Sequence, residues 1–226
     1  MKKTLLKKDN YKNIATYLVV IVAFVIMQTL SNQGKLGSAV TGYLVPVCCY
    51  IVLAVSLNLL VGVCGELSLG HAGFMGVGAF SGVVLATLLK DTVPSPVLRL
   101  ILAMVFGGLL AGIIGFIIGI PVLRLRGDYL AIVTLAFGEI IKNLVNAIFL
   151  GRDADGFHIS FKDSMSLGLK DGGEVLIKGP QGITGTPQAA TFTIGIILVL
   201  ITLIIVMNLV NSRTGRAVMA IRDNRI

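Results

Sequence analysis

The sequence has little charge and no tryptophan. Only 13% of its 226 residues are charged, whereas 55% are hydrophobic and the mean hydropathy is +0.92. A soluble domain carries about 25% charged residues, so roughly half the usual charge is missing. The apolar residues stand in long blocks of bilayer-crossing length, which excludes an ordinary soluble domain. Because tryptophan is absent, any aromatic belt at the membrane surfaces must use tyrosine and phenylalanine.

Groups that carry catalysis or bind metals are also scarce. The two histidines, His71 and His158, stand far apart, and the three cysteines, Cys48, Cys49 and Cys64, form no CxxC pair. This spacing predicts no metal site and is typical of small, buried apolar cysteines. No Gly-Lys pair is followed by Ser or Thr, so a Walker A phosphate loop is absent as well. We therefore expect neither an enzyme nor a bound metal or other cofactor.

The apolar blocks predict an all-α polytopic membrane helix bundle that forms a single transmembrane permease domain over residues 1–226. The lysine-rich start, residues 1–13, leads into an uncleaved first span, because the polar segment after that span offers no small-residue cleavage site. The turn 62–68 is either a cytoplasmic connection or a re-entrant break, and residues 151–191 form one long loop. The predicted spans are Ile14–Leu30, Ala39–Val61, Leu69–Leu89, Val97–Val122, Tyr129–Leu150 and Phe192–Val210.

Basic residues predict the orientation of these spans. With the N-terminus in the cytoplasm, the inside segments carry 11 Lys and Arg residues and the short outside loops carry three, Lys35, Lys90 and Arg99. This excess predicts that both ends are cytoplasmic and that loop 151–191 is external. The net charge of +8 then reflects membrane topology, and nucleic acid is not an expected partner.

The third span is unusually rich in glycine. Its Gly78–Gly82 pair has the GxxxG spacing that is typical of close helix packing. The fourth span is predicted to pack closely too, because one of its faces carries Gly108, Gly112, Gly115 and Gly119. Dense glycine after a polar entry also suits a discontinuous helix that lines a substrate site. On that second interpretation the tentative pathway residues are Glu66, Ser68, His71, Gly73 and Gly76.

The fifth span carries a polar stripe. Glu139, Lys142, Asn143 and Asn146 stand at i, i+3, i+4 and i+7, and an unpaired charge at this depth costs at least ~2.5 kcal/mol. The stripe is either a self-neutralising ion pair or the wall of a pathway or helix contact. We add Glu139 and Asn143 to the tentative pathway residues.

Two segments outside the spans are candidate docking surfaces. Loop 151–191 is far longer than a usual connection and serves either as an external docking surface or as an inert ordered loop. The basic segment 211–226 places Ala217, Ala220 and Ile221 on one helical face. It is either a handle for a cytoplasmic protein or an ordinary topology determinant.

Four motifs, in the same order along the chain, resemble the branched-chain amino-acid ABC transporter permease of LivM type. The resemblance covers nearly the whole chain, which makes it specific. The matching segments are Ser56–Gly62 with Gly65–Phe74, Gly127–Ile141, Gly179–Gly185 and Gly215–Asn224.

The resemblance implies a permease subunit that carries leucine, isoleucine and valine across the inner cell membrane by alternating access. Its implied partners are a homologous permease subunit as heterodimer partner, two cytoplasmic ABC ATPases and an extracytoplasmic substrate-binding protein, besides the lipid bilayer. Family members continue into further spans, so the coupling segment 211–226 is expected to be truncated and the C-terminal spans missing. The residues implied to couple to the ATPase are Arg213, Gly215, Arg216, Ala217, Ala220, Ile221, Arg222 and Asp223.

Three alternatives remain open from the sequence. The first is a urea or amide permease of the same family, since the motifs do not name the substrate. The second is an ion-coupled secondary transporter that uses Glu139. The third is an inactive fragment.

Overall fold

Seven α-helices and three β-strands make up the described residues of the computed structural model, which are 2–90, 92–122, 124–125, 127–153, 156–170, 173–183 and 189–223. Short 3₁₀ turns follow β2 and β3. The elements are α1 (Lys2–Asn32), α2 (Ser38–Asn58), a π-helical segment (Leu59–Cys64), α3 (His71–Leu88), α4 (Pro96–Val122), α5 (Asp128–Ala147), β1 (Phe149–Asp153), β2 (Gly156–Ser160), β3 (Glu174–Lys178), α6 (Phe192–Asn211) and α7 (Arg213–Asp223).

Six helices in the described part of the chain are long and apolar enough to cross a membrane. They are α1 from Ile14 onward, α2 together with the π-helical segment, and α3, α4, α5 and α6. Their large apolar side chains point outward, as Phe116 does on α4 with 73% of its surface exposed, which suits a lipid environment. The prediction of a polytopic helical membrane protein is confirmed.

The chain folds into two compact units. One joins Met1–Gly65 with Ala190–Ile226, and the other is Glu66–Ala189. In the first unit α2 packs against α6, because Gly195 brings the α6 backbone directly over the buried Cys48 side chain. Ile196 and Val199 complete that core. The expectation of buried cysteines holds for Cys48, whereas Cys49 is exposed.

In the second unit α3 and α4 pack antiparallel through small residues. A side chain on Gly78 would contact the Gly107 carbonyl oxygen at 3.4 Å, and one on Gly82 would contact the Ala103 carbonyl oxygen at 3.1 Å. The predicted GxxxG contact on α3 is therefore confirmed, since its glycines let two backbones approach closely.

The predicted packing face of α4 is wrong. Gly108, Gly112 and Gly119 face open space, and Gly115 touches only the Phe74 ring. The contact is made instead by Gly107, where an added side chain would collide with the carbonyl oxygen of Gly78. The spacing of the glycines does not decide which face of α4 meets α3, because Gly107 places a further glycine on the neighbouring face.

The segment after α5 folds into a small antiparallel sheet of strand order β2-β1-β3. The fifth span was predicted to reach Leu150, but α5 ends at Ala147 and Leu150 lies in β1. Leu150 leaves the helical pattern because it packs with Leu176 and Ile177 against Phe80 and the neighbouring turns of α3. The described residues between Gly151 and Thr191 thus include three short strands, and α6 begins at Phe192 as predicted.

Asp153 ties this sheet together. Its side chain is only 2% exposed, and it accepts hydrogen bonds from the backbone N–H groups of Gly156 at 3.2 Å and Lys170 at 3.3 Å. The His158 Nε2 atom lies 3.1 Å from the same carboxylate. A buried carboxylate with three partners holds the β1–β2 turn against the 160–170 connection.

We expect Gly107→Val to destabilise the protein and Gly108→Val to leave its stability unchanged. The first adds a side chain against the Gly78 carbonyl oxygen, whereas the second adds the same atoms to open space. Overpacking at a tight contact costs about 1–3 kcal/mol. Thermal unfolding of the detergent-solubilised chain measures the difference, and equal melting temperatures for the two variants would contradict this account of the α3–α4 contact.

Candidate functional site

A second close backbone contact in the second unit lies between α5 and the start of α3. The Gly138 Cα atom would be 3.2 Å from a side chain on Gly73, and the Gly70 Cα atom would be 3.1 Å from one on Gly138. A side chain on Gly70 would collide with the Thr134 carbonyl oxygen. The order of these contacts shows that α3 and α5 run in the same direction. Only glycine at these positions allows so close an approach.

The non-helical residues before α3 are held against α5 at a point well inside its length. The Leu69 backbone N–H donates to the Thr134 hydroxyl at 3.1 Å, and that hydroxyl donates to the Ala131 carbonyl oxygen at 2.9 Å. Thr134 is six residues into α5, which places this contact about 9 Å along the helix. Non-helical backbone at such a depth needs a partner for each polar group, and Thr134 supplies one.

A cleft of about 310 Å³ opens between the two helices just beyond this contact. We call it the α3–α5 cleft. The polar side chains in it are Glu139, Lys142 and Asn146, all from α5. The remaining lining is apolar or glycine: Leu69, Ala72, Gly73, Gly76, Phe80, Leu135, Gly138, Ile141 and Val145. Its volume lies at the lower end of the range for small-ligand sites.

Glu139 and Lys142 form an ion pair at the cleft. The Lys142 Nζ atom lies 3.3 Å from one Glu139 carboxylate oxygen and 3.4 Å from the other. The two side chains remain 54% and 63% exposed, respectively, so each keeps surface available for another group. The pair neutralises itself within a span, as one interpretation of the stripe predicted. Since both residues also line the cleft, the ion pair and the pathway wall are compatible.

The structure brings only some of the predicted pathway residues together. Gly73, Gly76 and Glu139 line the cleft, whereas Glu66, Ser68, His71 and Asn143 do not. Glu66 and Ser68 belong to the non-helical stretch before α3, and His71 is the first residue of α3. Asn143 is exposed on another side of α5.

Sequence reasoning missed Lys142 and Asn146 as cleft residues. Both were part of the stripe that starts at Glu139, and their spacing of i+3 and i+7 would have distinguished them from Asn143 at i+4. The choice required knowing which side of α5 meets α3. Gly138 carries that information, because it marks the contact side of the helix.

A tight turn joins α6 to α7 in the first unit. The Ser212 hydroxyl donates to the Leu209 carbonyl oxygen at 2.6 Å and accepts from the Gly215 N–H at 3.0 Å. Gly215 is buried, and a side chain there would collide with the carbonyl oxygens of Leu209 and Val210. Arg216 closes the turn by donating to the Asn211 carbonyl oxygen at 2.8 Å.

Arg222 fastens α7 to the end of the second span. Its guanidinium donates to the Gly62 carbonyl oxygen at 2.6 Å, within the π-helical segment. A side chain on Gly65 would be 2.7 Å from the Arg222 Cγ atom, so the stem of this arginine fills the space left by that glycine. α7 is thereby held at its start by Gly215 and at its end by Arg222.

The outer side of α7 is left uncovered. Ala217, Ala220 and Ile221 are exposed and share one helical face, as their spacing predicted. Arg213 is also exposed, and the side chain of Asp223 lies outside the described residues. The predicted coupling residues thus divide between contacts within the first unit and an apolar outer face.

Six candidate spans within the described residues define a multi-pass helical membrane protein. Residues 39–226 match the family described as "Branched-chain amino acid transport system / permease component". The chain belongs to this family of transport subunits.

Two relatives are named "High-affinity branched-chain amino acid transport system permease protein LivM". The one from Escherichia coli (strain K12) is 33% identical and the one from Salmonella typhimurium (strain LT2) is 32% identical, each over 186 residues. The matched region covers 78% of this chain and 42% of each relative, so the chain spans less than half of their length. No solved structure matches the chain significantly.

We expect Thr134→Val to release the segment before α3, and Thr134→Ser to retain it. Valine has the size of threonine but leaves the Leu69 N–H without its acceptor, whereas serine keeps the hydroxyl. The loss of about 1 kcal/mol should speed hydrogen exchange of the Leu69 amide by about fivefold. Exchange measured by mass spectrometry on the peptide that contains Leu69 checks this, and an unchanged rate in the valine variant would show that the contact is not stabilising.

Proposed function

We propose that this chain is the membrane-spanning subunit of an ABC importer for branched-chain amino acids, with alternating access driven by separate ATPase subunits. The α3–α5 cleft is the observation that carries the proposal. Its walls are largely apolar, and they hold one cation and one anion close together. The relatives named for high-affinity branched-chain amino acid transport support the substrate class.

An aliphatic amino acid has the complementary chemistry for this cleft. Its carboxylate would pair with Lys142 and its ammonium group with Glu139, each replacing part of the 3.3 Å ion pair. The branched side chain would lie against Leu135, Ile141 and Val145. These residues would stabilise it by burying apolar surface, an interaction that does not depend on direction. Gly76 leaves room for the substrate, because nothing lies within 4 Å of where its side chain would stand.

The α7 helix supplies the means of coupling to an ATPase. Its exposed face of Ala217, Ala220 and Ile221 suits an apolar groove on a cytoplasmic protein. Arg222 would pass the movement of α7 to the π-helical end of the second span through its bond to the Gly62 carbonyl oxygen. The chain itself transmits motion in this proposal, and the chemistry of ATP hydrolysis belongs to separate subunits.

The proposed setting is the inner cell membrane with the N-terminus in the cytoplasm, as the excess of basic residues predicts. The partners that follow are a homologous permease subunit, two ATPases that contact α7, and an external substrate-binding protein. The parallel direction of α3 and α5 supports full crossings by the third, fourth and fifth spans, because alternate spans must run the same way.

We expect leucine uptake into proteoliposomes only when this subunit is present with its partner subunits, the binding protein and ATP. In the same assay Glu139→Gln should reduce uptake by about tenfold, because a charge-assisted hydrogen bond contributes about 1.5–3 kcal/mol. Glu174→Gln, on the exposed start of β3, is the matched control and should transport normally.

Uptake driven by a proton gradient without ATP would instead identify an ion-coupled secondary transporter. Uptake of urea but not leucine would support the amide-permease alternative of the same family. Full leucine uptake by the Glu139 variant would remove this carboxylate from the substrate site.

We expect Ile221→Glu to weaken association with the ATPase subunits, because it adds a charge to the apolar outer face of α7. Ile221→Leu is the matched control, since it keeps an apolar side chain at the same exposed position of the helix. Co-purification of tagged ATPase with each variant measures the effect. Equal recovery with both variants would mean that this face of α7 is not the contact.

A further inference from the structure

The outer strand of the small sheet carries a strip of large apolar side chains. Phe157 and Ile159 alternate along β2, so they project to one face of the sheet, and Phe161 follows directly after the end of the strand at Ser160. They are 43%, 63% and 67% exposed, respectively. We call these three residues the β2 strip. None of the charged groups used in the proposed transport site belongs to it.

The β2 strip continues a face that is already covered elsewhere. Leu150 on β1 is paired directly with Ile159 on β2 and with Ile177 on β3, so these three side chains project to the same face. Leu150 and Ile177 are buried against Phe80 and Val84 of α3. The apolar face therefore extends beyond the helix that covers it, and Ile159 lies on the uncovered part.

The sheet lies alongside the last two turns of a membrane span. Val84 is four residues and Phe80 eight residues before the end of α3 at Leu88, which corresponds to about 6 Å and 12 Å along the helix. Ser160 pairs with Phe149, two residues after the end of α5. Phe161 is next in the chain, so the most exposed end of the strip is also the end nearest to the span.

The backbone of β2 limits how deeply the sheet can lie in the bilayer. β2 is an edge strand, and an open sheet edge is not found within the hydrocarbon layer because its N–H and C=O groups would lack partners. The boundary between headgroups and acyl chains satisfies both requirements, since water and headgroups bond the edge while the aromatic rings reach apolar surroundings. The exposed Lys162 beside Phe161 suits the phosphate of a headgroup.

We propose that the β2 strip inserts into the interfacial layer of the lipid bilayer and anchors the sheet to the membrane surface. The occupant of this apolar face is lipid, because the covered part of the same face packs against the last two turns of α3, which is a candidate membrane span. The sheet is thereby held beside the spans and does not project into the aqueous phase.

The absence of tryptophan from the chain makes the depth directly measurable. Phe161→Trp introduces a single tryptophan, which can be excited apart from the five tyrosines, into the full chain reconstituted in phosphatidylcholine liposomes. We expect blue-shifted emission and loss of intensity with lipids brominated near the headgroup end of the acyl chain, and weaker loss with lipids brominated near the chain terminus. Leu109→Trp, exposed in the middle of α4, should show the reverse preference.

Lys170→Trp, exposed beside Asp153 at the end of the sheet farther from α5, serves as the water-facing control and should be quenched by aqueous iodide and not by brominated lipid. If Phe161→Trp behaves like this control, the strip faces water and the proposal is overturned. If iodide quenching of Phe161→Trp disappears only when partner subunits are added, the strip is a protein-docking surface and lipid is not its occupant. Quenching of Phe161→Trp by both iodide and lipid would still place it at the interface.

Discussion

The approach of the α3 and α5 backbones at Gly70, Gly73 and Gly138 is the constraint on which the second unit depends. Because these positions have no side chains, the non-helical stretch before α3 comes within reach of the Thr134 hydroxyl. The same approach creates the α3–α5 cleft and brings α3 to the side of α5 that carries Glu139 and Lys142. A larger side chain at any of the three glycines would separate the helices and change the contact, the hydrogen bond and the cleft together.

Much of this architecture is predictable from the sequence. The six spans follow from the length of the apolar blocks, and the apolar face of α7 follows from the spacing of Ala217, Ala220 and Ile221. Helical periodicity also placed Glu139 and Lys142 on one side of α5. These features are local, since each depends on residues within a few turns of one helix.

Features that depend on a partner helix were harder to predict. On α4 the sequence offers two adjacent glycines, Gly107 and Gly108, and only the position of Gly78 on α3 decides which of them makes the contact. Asn143 and Asn146 raise the same difficulty on α5. The sheet was missed for a related reason, because its five-residue strands gain their register from one another and from α3 and have little periodicity of their own.

The π-helical segment at the end of the second span has a geometric consequence. A π turn contains about one residue more than an α turn, so side chains before and after it are offset by about 100° around the helix axis. The surface that Ser38–Asn58 turns toward α6 is therefore displaced around the helix axis within Leu59–Cys64, the last residues of the span. The Gly62 carbonyl group that accepts from Arg222 lies in this displaced part, where the residues no longer follow the α-helical pattern of the rest of the span.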